Sequence, residues 1–372
     1  MNKIIITTAL LVLLICAAAT VQSQIVFGQK PSGNPQLVYT HWKLDFGDGL
    51  ETTVSQSYIP VSAFVPIQDN LEAQIYMATS SSSAEYSGFD NSVSGLSDAR
   101  IQISRSFSED HILISGGINV PIGKKKLDFM ENWSVIELLS QDFLEFPVRS
   151  LGEGFGFNLL VGGATMLGDA RVGGGITYQF KGEYEPYAET GDYDPGDIIA
   201  INAGGDITKG KMTWVTNVVF TTYTADKQDG LKTFKQSQQI AVSVSGAHID
   251  TPHDISGYLS YVIRGDNSFY SDSEALLSQY KLYGNEFSAG ANAIFNLANR
   301  WAVGPSAGIR LIAENELTLG STDIFNFGGS VSKQIGENLS ADGGFKYFTG
   351  NVNDNLIDLS GYQFHLGLLA NF

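Results

Sequence analysis

The sequence predicts an all-β fold: a closed antiparallel transmembrane β-barrel of about 14–16 strands, with one short helix in a long loop. Three observations predict it. First, the chain ends "SGYQFHLGLLANF", in which Tyr362, Phe364, Leu366, Leu368, Ala370 and Phe372 alternate with Gly361, Gln363, His365, Gly367, Leu369 and Asn371. A two-residue rhythm with one apolar and one polar face is that of a half-buried strand. Second, about sixteen such runs follow one another. Third, the joints between runs alternate between short ("SED", "LGD", "TKGK", "DTPHD", "NLAN", "QIGEN") and long and polar. Tight turns on one rim and long loops on the other belong to a barrel in a membrane. Composition agrees: 41 Gly, 16 Tyr and 22 Phe, with only 16% charged residues, favour sheet over helix.

The elements follow in chain order. Residues 1–23 carry one lysine, an apolar run and then small and polar residues, the pattern of a secretory signal peptide cleaved before Gln24. Cys16, the only cysteine, would leave with it, so disulfides, zinc-thiolate sites and cysteine nucleophiles are excluded from the processed chain. Residues 24–35 form a short N-terminal segment, and 36–372 the barrel. Its runs lie near 36–46, 51–65, 70–79, 96–107, 111–121, 154–167, 170–181, 197–208, 211–224, 236–248, 254–264, 284–296, 300–312, 322–333, 338–348 and 358–372. Long polar connections are expected at 80–95, 122–153, 182–196, 225–235, 265–283, 313–321 and 349–357. Within 122–153, Ser134 with Glu137 three residues on predicts a capped short helix. It is either a cover on the rim or an apolar constriction inside the pore.

A β-sandwich would bury its apolar faces against each other, and a lipocalin-like soluble barrel would be half this size. Facing the apolar sides to lipid is simpler, and a sheet in lipid must close on itself. The last strand then pairs with the first, which accounts for a rhythm that persists to Phe372, expected to act as the C-terminal assembly signal. The acidic balance, 39 Asp+Glu against 22 Lys+Arg, excludes a nucleic-acid partner.

The wall registers place Asp98, Arg100, Arg171, Arg264, Arg310, Asp342, Lys346, Gln363 and His365 in the lumen. Such arginines either attract an anionic solute or pair with acids across the interior. Trp42, Trp214, Trp301 and Tyr347, near strand ends, read as interface anchors. "GPSAG" at 304–308 matches a nucleophile motif, but Ser306 lies mid-strand with no helix after it, so no catalytic residue is expected. "HIDTPHD" (His248, Asp250, His253, Asp254) reads as a polar turn rather than a metal site, and the acidic stretch 183–197 as a solvated loop. No metal and no cofactor are expected.

"GLSDARIQISRSFSEDHILISGGINVPIGKKKLDF", with its "GLSD-x-R" strand and a second strand ending "VPIGK", resembles barrels of the long-chain fatty-acid transporter superfamily, nearest to the branch of the MetA pathway of phenol degradation. "FKGEYEPY" and "DYDPGD" fit the same picture. The resemblance implies a Gram-negative outer-membrane barrel that passes small, hydrophobic compounds inward by diffusion past an N-terminal plug. Residues 24–34 are few for such a plug. The expected function is therefore channel or transporter, not enzyme. Its partners would be outer-membrane lipid, the barrel-assembly machinery and a small-molecule solute. The alternative is a structural or adhesive barrel with no transport role. A third possibility, an outer-membrane hydrolase, would need Ser306 and His365 to meet.

Overall fold

The computed structural model describes residues 32–371 apart from 87, 125, 251 and 318. The expected signal peptide, most of the N-terminal segment and Phe372 lie outside the described residues. Sixteen antiparallel strands close into a barrel. They are β1 (Gln36–Asp45), β2 (Glu51–Gln68), β3 (Leu71–Tyr86), β4 in two pieces (Phe89–Leu96 and Ala99–Phe107), β5 (Ile112–Val120), β6 (Gly156–Leu167), β7 (Ala170–Lys181) and β8 (Ile198–Lys209). The other eight are β9 (Met212–Tyr223), β10 (Gln239–Asp250), β11 (His253–Arg264), β12 (Glu286–Leu297), β13 (Trp301–Ile312), β14 (Thr322–Gln334), β15 (Leu339–Val352) and β16 (Ile357–Asn371). Each strand pairs with the next, and β16 pairs with β1 from Gly367↔Gln36 to Asp358↔Asp45, which closes the wall. A closed ladder of this kind leaves no free strand edge in the bilayer-spanning wall, the condition for a sheet in hydrocarbon.

The alternation holds as expected. Ile176, Leu259, Phe327 and Leu366 point outward and are 49%, 53%, 56% and 60% exposed. Their neighbours Thr177, Ser260, Asn326 and His365 point inward. Rows of large apolar side chains around the whole circumference form the belt that a bilayer covers. Among the described residues no helix is long and apolar enough to cross a membrane.

Two regions depart from expectation. Residues 80–95 are not a loop: β3 runs on to Tyr86 and the first piece of β4 pairs back along it, Thr79↔Leu96 to Tyr86↔Phe89. The wall at β2, β3 and β4 is therefore taller than the twelve-residue strands of β6 to β13. Ser97 breaks β4 where its backbone N–H donates to the Ala78 carbonyl (2.8 Å), and beyond this point β5 pairs only with the lower piece. The acidic loops are not merely solvated either. Tyr193–Asp194, Asp226–Gln228, Leu231–Lys235, Asn267–Tyr270 and Leu276–Tyr280 build a second, five-stranded sheet on the long-loop rim. Its acids are used internally: Asp194 pairs with Lys227 at 2.9 Å, Asp226 accepts from the Tyr193 hydroxyl at 2.5 Å, and Glu185 pairs with Lys126. The hydrogen bond from Lys126 holds the Glu185 carboxyl below the usual range, while burial, reinforced by Asp226, pushes the Tyr193 hydroxyl up.

Candidate lumen and gate

The connection between β5 and β6 folds into the barrel rather than over its rim. It contains α1 (Phe129–Ser140) and a single 3-10 turn (Asp142–Leu144). The helix starts five residues before the expected cap. Asp128 is the N-cap, its side chain accepting from the Glu131 N–H at 3.0 Å. Ser134, the expected cap, instead lies inside the helix and accepts from Asn91 on the tall wall at 2.9 Å. One face of the segment is apolar: Val135, Leu139, Phe143, Leu144, Phe146 and Val148 are buried. They pack against inward side chains of the upper wall, including Val54, Ala84, Val93, Ile324, Phe348 and Leu359. An apolar core thus sits inside the barrel, at its long-loop end, and closes it there.

Four polar attachments fix this plug. At its neck, Asp98 sits at the break in β4 and accepts from the Gly123 N–H (2.8 Å), the Glu153 N–H (2.8 Å) and the Asn119 amide (2.9 Å), tying both ends of the segment to one carboxylate. The two ends pass so closely that a Cβ on Gly123 would collide with the Leu151 carbonyl, so glycine is required there. On β2, buried Gln56 makes a reciprocal pair with Val148. Its amide donates to the Val148 carbonyl at 2.7 Å and its oxygen accepts from the Val148 N–H at 3.1 Å. On β1, the Trp42 indole N–H donates to the Leu144 carbonyl at 2.9 Å. Trp42 is 2% exposed and faces the interior, which corrects its reading as an interface anchor; Trp214, Trp301 and Tyr347 do face outward.

The fourth attachment lies across the lumen on β11–β13. Glu286 accepts from Arg310 Nε at 2.6 Å and from Arg264 at 3.1 Å. Arg264 also bonds the Asp142 carboxylate at 3.1 Å, and Arg310 donates to the Asp142 and Phe143 carbonyls at 3.0 and 3.2 Å. Arg264, Glu286 and Arg310 are each about nine-tenths buried, so the charges are held in a medium that screens them poorly.

The expected lumen residues are thus divided by the structure. Arg264 and Arg310 join in this latch, Asp98 is the neck, and Arg171 pairs with Asp206 at 2.8 Å near the short-turn rim. Asp342 meets His365 Nε2 at 3.2 Å, and Gln363 donates to Thr40 at 3.0 Å. Arg100 and Lys346 have no ion-pair partner among the described residues. Arg100 lies where cavities of about 340 and 230 Å³ meet beside the neck. Lys346 lines a cavity of about 430 Å³ under the plug. Glu286 and Asp142, which complete the latch, were not anticipated. Glu286 shares the lumen register of Ser288, and Ser288 pairs with Arg310, so register was the available signal. Ser306 faces the lumen, and among the described residues no hydrogen bond joins it to His365. In "HIDTPHD", Asp250 pairs with Lys211 at 2.5 Å and accepts nothing from the histidines, while His253 packs on Phe295.

No family model and no curated protein matches this chain. Among solved structures it is similar to a Pseudomonas aeruginosa FadL homologue (10% identity, 96% of this chain and 94% of that one, TM-score 0.48). It is also similar to Pseudomonas putida OprB at low pH (10%, 90% and 92%, 0.46) and to the CymD monoaromatic hydrocarbon channel (11%, 93% and 90%, 0.43). The likeness to one particular branch rests on the sequence motifs alone.

Proposed function

We propose that this chain is an outer-membrane channel for passive uptake of small compounds, with the 121–155 segment as its gate. The observation that carries the reading is the latch: a charged cluster joins the 3-10 turn of the plug to the wall at Asp142, above a water-accessible lumen. A plug held by its apolar face alone would be a permanent filling. One held also by ion pairs has a second arrangement available, in which those charges are hydrated. Below the plug the wall is lined mostly by Ser, Asn, Gln and Gly, which suits polar solutes. Hydrophobic compounds are the second reading, favoured by the apolar cluster around Phe143 and Phe146, which a greasy solute could displace part by part. Export through the 1–23 segment and insertion through Phe372 by the barrel-assembly machinery belong to the same proposal.

Liposome swelling tests it. Proteoliposomes of the full protein should admit small sugars slowly, and those of a variant with residues 124–151 replaced by a short Gly/Ser linker should admit them several-fold faster. Equal rates for both would remove the gate. Impermeability of both would favour the structural or adhesive alternative.

A further inference from the structure

The cavity under the plug has a construction that the channel reading does not require. Strand register places Tyr258, Gly290, Gly308 and Asn326 in one inward row across β11–β14. Asn292, Ser306, Gly328 and Lys346 form the next row across β12–β15. The glycines of these rows are roofed by their neighbours' side chains. A Cβ on Gly290 would lie 2.6 Å from Tyr258 Cε1, one on Gly308 2.8 Å from the Asn326 amide nitrogen, and one on Gly328 2.7 Å from Lys346 Cγ. Tyr258 therefore lies flat over Gly290 with its other ring face toward the lumen, where the residue is 48% exposed. Asn326 leans back over Gly308 toward it. Lys346 leans over Gly328 toward Ser306. Flat-lying side chains on bare backbone keep this side of the lumen open, and the result is the cavity of about 430 Å³, within the ~300–1,000 Å³ usual for small-molecule sites.

The chemistry of the lining is specific. Ser306, Asn326, Lys346 and the Tyr258 hydroxyl have no hydrogen-bond partner among the described residues. Asn292 uses its oxygen on Ser256 and keeps its N–H groups. Leu144 and Glu145 of the plug form the ceiling, and the Glu145 carboxylate is held by Arg310 at 3.3 Å. The cavity thus offers one unpaired ammonium, several neutral donors and acceptors, and the open ring face of Tyr258, with Trp42, Phe345 and Phe348 also in its lining. We infer that it is a binding site for a small hydroxylated carboxylate of sugar size. Lys346 takes the carboxylate, Ser306, Asn326 and Asn292 take hydroxyls, and a ring, where present, rests on Tyr258. The inference deepens the channel reading by naming its solute class. It also gives the plug a role as lid of the site, since Leu144 and Glu145 would touch an occupant.

Equilibrium dialysis on the detergent-solubilised full-length protein tests binding without relying on transport. D-Glucuronate supplies ring, hydroxyls and carboxylate. D-Gluconate removes the ring, D-glucose the charge and acetate the hydroxyls. Saturable binding of glucuronate, one per barrel, is expected, with glucose and acetate at least tenfold weaker. Gluconate binding as well as glucuronate would assign the site to open-chain acids without removing it. Lys346→Met and Asn326→Ala should each weaken glucuronate about tenfold or more, the worth of a hydrogen bond to a charged group or of an unpaired amide. Lys181→Met, in the separate cavity beside the neck, should not. Retained heat-modifiable gel mobility shows that the variants fold. Absence of saturable binding by either acid, or binding indifferent to Lys346→Met, would overturn the site. Swelling rates measured in parallel report on the channel independently.

Discussion

Arg171 and Asp206 meet at 2.8 Å across β7 and β8, near the short-turn rim, with Arg171 64% exposed to lumen water. Arg264, Glu286 and Arg310 meet Asp142 of the plug on another part of the wall, near the long loops, with the two arginines only 9% and 11% exposed. Both clusters are arginine–carboxylate pairs on inward registers of the same sheet. They differ in what surrounds them. The first is wet and local to the wall. The second is covered by the plug and joins two bodies. An arginine in a barrel wall therefore has no fixed role by position. Its desolvation decides whether it only decorates the lumen or holds something in it.

The largest effect is expected from breaking the covered cluster. Glu286→Ala leaves two guanidinium groups facing each other in a nearly dry setting with one carboxylate removed. Loss of one partner of a buried pair costs about 3–5 kcal/mol, and here the plug can relieve it by leaving. Single-channel recording in planar bilayers should show openings several-fold longer than in the unaltered protein, with the barrel itself intact by gel mobility. Unchanged openings would mean that the apolar face and the neck hold the plug without the latch.

Gln56→Leu should come next. It removes the reciprocal bond to Val148 and strands a buried N–H and C=O on the plug, a loss of about 2–3 kcal/mol confined to one edge of it. Hydrogen exchange at the Val148 amide should accelerate, while channel opening rises less than with Glu286→Ala, because the neck at Asp98 and the arginine latch remain. Equal opening in the two variants would show that the plug moves as a single rigid body with no weaker side.

These contrasts were only partly readable in the sequence. Apart from the upper halves of β3 and β4, expected as a loop at 80–95, the strands lie where the two-residue rhythm puts them, because lipid on one side and water on the other impose opposite demands on successive residues. The rhythm fails where the inner face is not wet. Ser80 and Ser82 read as loop, yet they are buried on β3 beside Gln56 because the plug fills the lumen there. Trp42 reads as an interface aromatic for the same reason: on β1 the buried apolar residues Val38, Trp42 and Leu44 share the inward register and meet the plug, while Lys43 and Asp45 lie on the outward one. The helix was visible, but its Ser134 and Glu137 signal lost to Asp128, whose side chain reaches a free N–H at the true start. Whether the segment lies over or inside the barrel depends on contacts such as Gln56 with Val148, 92 residues apart, which no local pattern encodes. The open cavity depends on glycines in register on successive strands, and their alignment appears only when the strands are paired.

The smallest effect is expected at Arg171, and it is the control that gives the comparison its meaning. Its partner Asp206 is 27% exposed, both side chains reach lumen water, and nothing bridges them to the plug. Wet pairs of this kind contribute about 0–1 kcal/mol, less at high salt. Arg171→Ala should therefore leave the openings unchanged and move the thermal midpoint in detergent by no more than a degree or two at physiological ionic strength. A shift in openings comparable to that of Glu286→Ala would mean that the field of an unpaired Asp206 reaches the plug through lumen water. Charge anywhere on the inner wall, rather than desolvated charge at Asp142, would then control the gate.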